Sequence, residues 1–294
     1  MRILQELFAD QNLIVRPKLG IIAGGGELVS ELCSACSESG RQYFVVGIRG
    51  NADQSSLQGT PHKIIRLGAI GELVSELRKQ AVEEIVMVGS IQRPTWQEVR
   101  PDLRALRLLP RFLSGGQGDG DILRIAIMEL ENEGFRVIGV EQIMPDLLTP
   151  VGSIGRYSPS SQVRKDIALG LRVATTIGHL DIGQAVVVQQ GLVLGVEAAE
   201  GTDSLIFRCG LLSKRGEKGT LIKVKKPLQD SRADLPTIGP YTVRRAQESG
   251  LGGIVLQARA SLIVGRRKVI ELADRHGIFV LGIDVKKTEP NNHI

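Results

Sequence analysis

Short, mostly apolar runs separated by longer stretches of helical period set the rhythm of the first half of the chain. Leu19–Ala23, Tyr43–Ile48, Lys63–Leu67, Glu84–Val88 and Phe135–Val140 read as strands. Glu27–Ser39, Ile70–Gln80 and Asp121–Glu133 read as helices between them. Runs such as Leu19–Ala23 do not alternate apolar with polar residues, as expected where both faces of a sheet are covered. Strand and helix in turn predict a parallel sheet with helices on both sides, a Rossmann-like domain over residues 1–148.

The rhythm breaks over residues 149–161, where proline, glycine and serine gather, and this segment is expected to link two domains. A long helix, Gln162–Ile177, then opens a second domain over residues 162–294. Ala185–Gln189 and Leu192–Glu197, separated by Gln190-Gly191, predict a hairpin. Strands at Thr220–Lys225, Gly253–Gln257 and Ile278–Ile283 and a helix at Arg267–His276 make this a mixed α/β domain. The polar stretch Lys286–Ile294 reads as a frayed tail.

Composition adds bounds. With 294 residues, 42% of them apolar and 23% charged, the chain has material for two cores, since a domain takes ~150 residues. A net charge of +5 suits an anionic ligand or an anionic membrane surface. Nucleic acid is not an expected partner, because aromatics are 3% and the basic residues are dispersed. The most basic stretch, Arg93–Arg111, interleaves arginines with leucines and reads as a short amphipathic helix, its arginine face either solvated or set against phosphate or headgroups. Met1–Leu7 lacks the apolar core of a signal peptide and no run is long enough to span a bilayer, so a cytoplasmic protein is expected. Cys33 and Cys36 fall inside a helix without the flanking residues of a redox motif and read as core packing. His62, His179, His276 and His293 are scattered singly and offer no zinc site.

The candidate chemistry lies in a few motifs. Gly24-Gly25-Gly26 sits between a strand and a helix, where a backbone can approach a phosphate and a helix N-terminus can meet its charge; a tight turn would use glycine equally well. The dinucleotide fingerprint fails, because Val29 stands where its last glycine belongs and Gly47-Ile48-Arg49 brings no acid for a ribose. In Gly118-Asp119-Gly120-Asp121, Asp121 suits a helix cap and Asp119 is left in a glycine-flanked loop. Glu197, Glu200 and Asp203 cluster at a strand end, where Gly201 permits a sharp turn that lets Glu197 and Asp203 converge on a cation. Lys223, Lys225 and Lys226 lead into a loop in which Asp230, Arg232 and Asp234 share one side if the chain is extended. Carboxylates among lysines and an arginine suit a phosphate site in which a divalent cation bridges acid and phosphate, or else a salt-bridged connector.

These residues also carry a resemblance. Ile22 to Gly26, Gly118-Asp119, Gly183 to Val188, Val196-Glu197-Ala198, Glu200 to Asp203 and Gln229 to Pro240 resemble the LpxI family, the UDP-2,3-diacylglucosamine pyrophosphatases of lipid A biosynthesis, over about Leu19 to Ile283. The resemblance implies Mg²⁺-dependent hydrolysis of UDP-2,3-diacylglucosamine to UMP and 2,3-diacylglucosamine 1-phosphate. It also implies two domains with substrate between them, a homodimer, and at most peripheral contact with the inner membrane. Carried onto this sequence, it implies catalytic roles for Asp234, Asp230 and Arg232 and metal ligation by Asp119, Glu197 and Asp203. Substrate contacts are then expected from Gly24, Gly25, Gly26, Gln184, Thr202, Lys226, Gln229, Thr237 and Gly239. Two other readings stay open on the residues alone. One is an NAD(P)-dependent oxidoreductase, from the glycine turn and Arg49; the other is a noncatalytic nucleotide-lipid binding protein, from the absence of a Ser/His or Cys/His pair.

Overall fold

A computed structural model describes residues 16–91, 101–107, 119–227 and 229–285. The described residues divide into two compact units, one within Met1–Leu108 and Glu129–Val137, the other within Leu109–Met128 and Ile138–Ile294.

The first unit is built on a five-stranded sheet in the order β3-β2-β1-β4-β5, from β1 (Leu19–Ala23), β2 (Tyr43–Ile48), β3 (His62–Ile65), β4 (Glu84–Val88) and β5 (Arg136–Ile138). β1 pairs in parallel with β2 and β4, and β2 with β3, so the α/β, Rossmann-like expectation holds. Helices α1 (Leu28–Glu38) and α2 (Ile70–Lys79) occupy the crossovers. Leu19, Ile21 and Ala23 are fully buried, as a central strand covered on both faces requires. Cys33 and Cys36 are buried on α1, and burial pushes the Cys33 thiol up to about 11, which suits packing and not redox chemistry.

Helix α3 (Asp119–Asn132) begins earlier than its sequence predicts, taking Asp119 into its first turn instead of leaving it in a loop. A glycine costs a helix about 1 kcal/mol, too little to fix where the helix starts. Of the arginine-rich stretch, Leu103–Arg107 is helical and exposes Leu103, while Arg104 pairs with Glu129 and Glu133. Arg93, Arg100 and Arg111 lie outside the described residues.

The second unit is a six-stranded mixed sheet in the order β6-β13-β11-β9-β7-β8. It comprises β6 (Gly152–Ile154), β7 (Ala185–Gln189), β8 (Leu192–Val196), β9 (Thr220–Lys223), β11 (Gly253–Gln257) and β13 (Phe279–Ile283). Strands β10 (Thr237–Ile238) and β12 (Leu262–Ile263) form a separate parallel pair. The expected linker is therefore part of the fold, since its Gly152–Ile154 pairs antiparallel with β13 at the sheet edge. Three residues are too short a run for periodicity to reveal, and the partner that makes them a strand lies more than a hundred residues away.

Helix α4 (Ser161–His179) is capped by Ser160, which accepts from the Val163 N–H at 3.3 Å. It lays Val163, Ile167, Leu171 and Ala174 on Val186, Val188, Ile222 and Val255. The opposite side of the sheet packs against α5 (Gly201–Leu212), α6 (Pro240–Glu248) and α7 (Arg266–His276). The hairpin stands where predicted. Gln190 and Gly191 have φ of 51° and 78°, the two positive values of a type I′ turn, and the buried Asp166 carboxylate accepts both their N–H groups at 2.7 Å. Among the described residues, no helix is long and apolar enough to cross a membrane.

Candidate active site at the carboxyl end of the second sheet

The register of the second sheet brings distant segments to one end. Ala185, the first residue of β7, lies opposite Lys223, the last of β9, and Lys223 lies beside Leu256 of β11. Val196, the last residue of β8, pairs with Val186. The residues just outside these positions, Gln184, Glu197 and the chain after Lys223, therefore meet at the carboxyl ends of β9 and β11, where sheets of this kind present ligand sites.

Two glycines make the close approach possible. A Cβ at Gly183 would fall 2.1 Å from the Glu197 carbonyl oxygen. Gly201, with φ of 79°, turns the chain from β8 into α5. The buried Glu197 then receives the Gln184 N–H at 3.0 Å on one oxygen and the Thr202 hydroxyl on the other. One oxygen is thus engaged by the segment before β7 and the other by its own turn, where Thr202 holds Glu197 and does not cap a helix. Glu200 is paired with Arg208 at 2.8 Å. Asp203 is exposed in the first turn of α5 and makes no hydrogen bond or ion pair among the described residues.

Lys223, one of the three lysines that lead into the acidic loop, has no role of its own in the motifs. It is buried, and its ammonium donates to the Thr237 carbonyl at 3.2 Å. Burial pushes its pKa down, while the charges of Glu197, Asp234 and Asp203 oppose that shift. A buried lysine at a sheet end, within electrostatic range of three carboxylates, is a perturbed group of the kind that marks active sites. The signal available in sequence was its place in the run Thr220 to Lys225, where a lysine interrupts an apolar strand.

The Asp230 loop is a turn and not an extended strand. The Asp234 N–H donates to the Asp230 carbonyl at 3.1 Å, which removes the alternation expected to place three charges on one side. Arg232 forks onto the Asp230 carboxylate, with Nε–Oδ1 of 3.0 Å and Nη2–Oδ2 of 2.8 Å, and its own N–H donates to the same carboxylate at 3.0 Å. The Arg232 guanidinium holds the Asp230 carboxyl below the usual carboxylate range. Asp234 is positioned separately: the buried Gln229 donates its amide N–H to Asp234 Oδ2 and accepts the Lys226 N–H at 3.0 Å. Lys225 is fixed by Ser231 and by Gln257, which accepts its N–H at 3.0 Å. Lys226 pairs with Asp181 at 2.7 Å. Thr237 takes part through its carbonyl, and Gly239 starts α6 with its N–H donated to Thr242.

The acids suit Mg²⁺ only in its more open coordination. Among the described residues no three His, Cys, Asp or Glu side chains gather as a ligand set, and the Asp119 side chain lies outside them. Mg²⁺ keeps much of its water shell and takes one or two carboxylates together with substrate phosphates. Among the described residues, the exposed Asp203 is free for that role, whereas each Glu197 oxygen already accepts one hydrogen bond and Asp230 is paired with Arg232.

In the first unit, the glycine turn closes on the neighbouring strand. The Gly24 and Gly25 N–H groups donate to the Val88 and Ser90 carbonyls, both at 2.8 Å, and a Cβ on Gly24 would fall 2.4 Å from the Ser90 oxygen. Gly26 has φ of 109°. Two of the three N–H groups that a bound phosphate would use are thus taken, which removes the main support for the nicotinamide alternative.

Comparison with known proteins agrees with the motifs. The family model of the LpxI N-terminal domain matches residues 18–147, and that of the LpxI C-terminal domain matches residues 150–281. The chain is 42% identical over 274 residues to a protein of Caulobacter vibrioides named UDP-2,3-diacylglucosamine pyrophosphatase LpxI, across 91% of this chain and 98% of that one.

Proposed function

The chain belongs to the LpxI family, and we propose that it hydrolyses the pyrophosphate of UDP-2,3-diacylglucosamine in lipid A biosynthesis, with Mg²⁺, to UMP and 2,3-diacylglucosamine 1-phosphate. The observation that carries the reading is identity of 42% running over 98% of a relative named for this activity. The carboxyl-end cluster supports it, because a pyrophosphate resists attack through its own negative charge and needs fixed cations and a held water.

The chain's residues divide that work. Lys223, within electrostatic range of the acids, and Lys225, held by Ser231, supply positive charge for the phosphates. Asp234, with Oδ2 held by Gln229, uses its other oxygen to orient the attacking water and take its proton. The water oxygen bonds to one phosphorus, the bridging P–O bond breaks, and two phosphate monoesters leave. Asp203 would hold Mg²⁺ together with the substrate oxygens, and the ion when bound neutralises phosphate charge. Glu197 positions Thr202 and the Gln184 backbone, and Gln184 Oε1, buried without a hydrogen-bond partner, is available to a donor on the substrate. Arg232 and Asp230 lock the turn that carries Asp234.

The test is direct. Purified protein, UDP-2,3-diacylglucosamine and Mg²⁺ should release UMP and the lipid phosphate, with turnover stopped by EDTA and restored by Mg²⁺. Heavy-oxygen water identifies the phosphorus attacked by which product carries the label. Absence of turnover at high enzyme concentration would remove the hydrolase reading, and full activity in chelator would remove the metal.

A further inference from the structure

Helix α5 is apolar on both of its sides. Leu205, Ile206 and Cys209 are buried in the core, while Phe207, Leu211 and Leu212 are exposed at 60%, 75% and 53%. Between Leu205 and Leu212 the charged residue is Arg208, whose guanidinium is bonded to Glu200 and to the Val196 carbonyl. A helix apolar all round is ordinarily covered all round, and contiguous exposed apolar surface marks a site of interaction.

The loop that follows supplies charge. Lys214, Arg215 and Lys218 are exposed, and among the described residues none of them makes an ion pair. Glu217 is the acid among them and accepts the Ser160 hydroxyl at 3.0 Å. The loop is fixed through its backbone. Gln189 donates to the Lys214 and Glu217 carbonyls at 2.8 Å and accepts the Lys214 N–H at 2.9 Å, and Gln190 donates to the Arg215 carbonyl at 3.0 Å. The cations thus keep a set place beside the apolar end of α5 without their side chains being used to hold it.

We propose that this corner, Phe207, Leu211 and Leu212 rimmed by Lys214, Arg215 and Lys218, docks the protein on an anionic phospholipid bilayer. The apolar side chains enter the headgroup boundary, and the cations meet lipid phosphates. Charge decides between this occupant and a second copy of the chain. A two-fold contact sets a patch against itself, bringing three unpaired cations towards three more, and like charges across an interface are costly. The same helix begins at the candidate site. Asp203 lies in its first turn and Leu211 eight residues on, about 12 Å along the axis, so docking would bring the site within reach of a lipid-anchored substrate.

Co-sedimentation with phosphatidylcholine vesicles, with and without phosphatidylglycerol, tests the proposal on the full chain without turnover. Wild type is expected to bind the phosphatidylglycerol vesicles preferentially, less so as salt rises. Each cation near the surface is worth about fivefold in partitioning, so Lys214→Ser, Arg215→Ser and Lys218→Ser combined should weaken binding on the order of a hundredfold. Phe207→Ser with Leu211→Ser should abolish binding while the circular dichroism spectrum is kept, since both positions are exposed. Equal binding to both vesicle types, no binding by wild type, or variants that alter self-association in place of vesicle binding would overturn the proposal. Vesicle binding without hydrolysis of detergent-dispersed substrate would instead sink the enzymatic reading and leave the docking surface standing.

Discussion

The turn after β1 and the turn after β8 both stand at strand ends and both depend on glycine, yet they put it to different use. After β1, Gly24 and Gly25 let two backbones lie against each other, and their N–H groups are consumed by Val88 and Ser90. At the end of β8, Gly201 in the turn and Gly183, just before β7, let backbone close on backbone so that a side chain, Glu197, can be gripped from both sides. Glycine therefore reports where the chain is crowded or sharply turned. Whether chemistry sits there is decided by the charges around it, and the second turn alone has a buried lysine within electrostatic range of carboxylates.

The comparison breaks first at that lysine. Lys223→Met should lower kcat by on the order of 10²-fold or more, with Asp234→Asn comparable, because on the proposed mechanism the first removes charge that balances the phosphates and the second the base that takes the water's proton. Lys223→Met also leaves the buried Glu197 without the opposing charge, so Tm should fall, and kinetics are compared at a temperature where the variant is folded by circular dichroism. Normal kinetics in both variants would move the site away from the second sheet. The glycines come next. Gly24→Ala should cost about 1–3 kcal/mol through overpacking against the Ser90 carbonyl, read as a lowered Tm. A Gly24→Ala protein that melts like wild type would show that the β1 turn is not the packed contact described.

The smallest effect concerns Asp230. Its carboxyl is depressed in the folded chain by Arg232, so the unfolded chain binds more protons as pH falls below about 3.8. The stabilisation from the pair is present above the unfolded value and lost as pH drops through the folded one. Asp230→Asn should therefore be less stable than wild type near neutrality, and the gap should close in acid, by denaturant titration at each pH. A gap independent of pH would mean that Arg232 is not what holds this carboxyl.

Much of this architecture was legible in the chain. Strand and helix periods are local, so Leu19–Ala23, Tyr43–Ile48, Ala185–Gln189 and the Gln190-Gly191 turn could be placed from neighbouring residues alone. The strand Gly152–Ile154 and the helix Pro240–Glu248 escaped, the first because its identity rests on pairing with β13 and the second because few of its residues are apolar.

The candidate site divides in the same way. The sequence by itself determined which residue types gather near Glu197 and Asp230, and the family to which their spacing belongs. Tertiary structure decided what each of them does: that Glu197 is held by Gln184 and Thr202, that Arg232 is bound to Asp230, and that Lys223 is buried opposite Ala185. The physical reason is range. A side chain's period is set within a few residues, but its hydrogen-bond partner and its burial depend on sheet register, which is fixed by the packing of strands far apart in the chain.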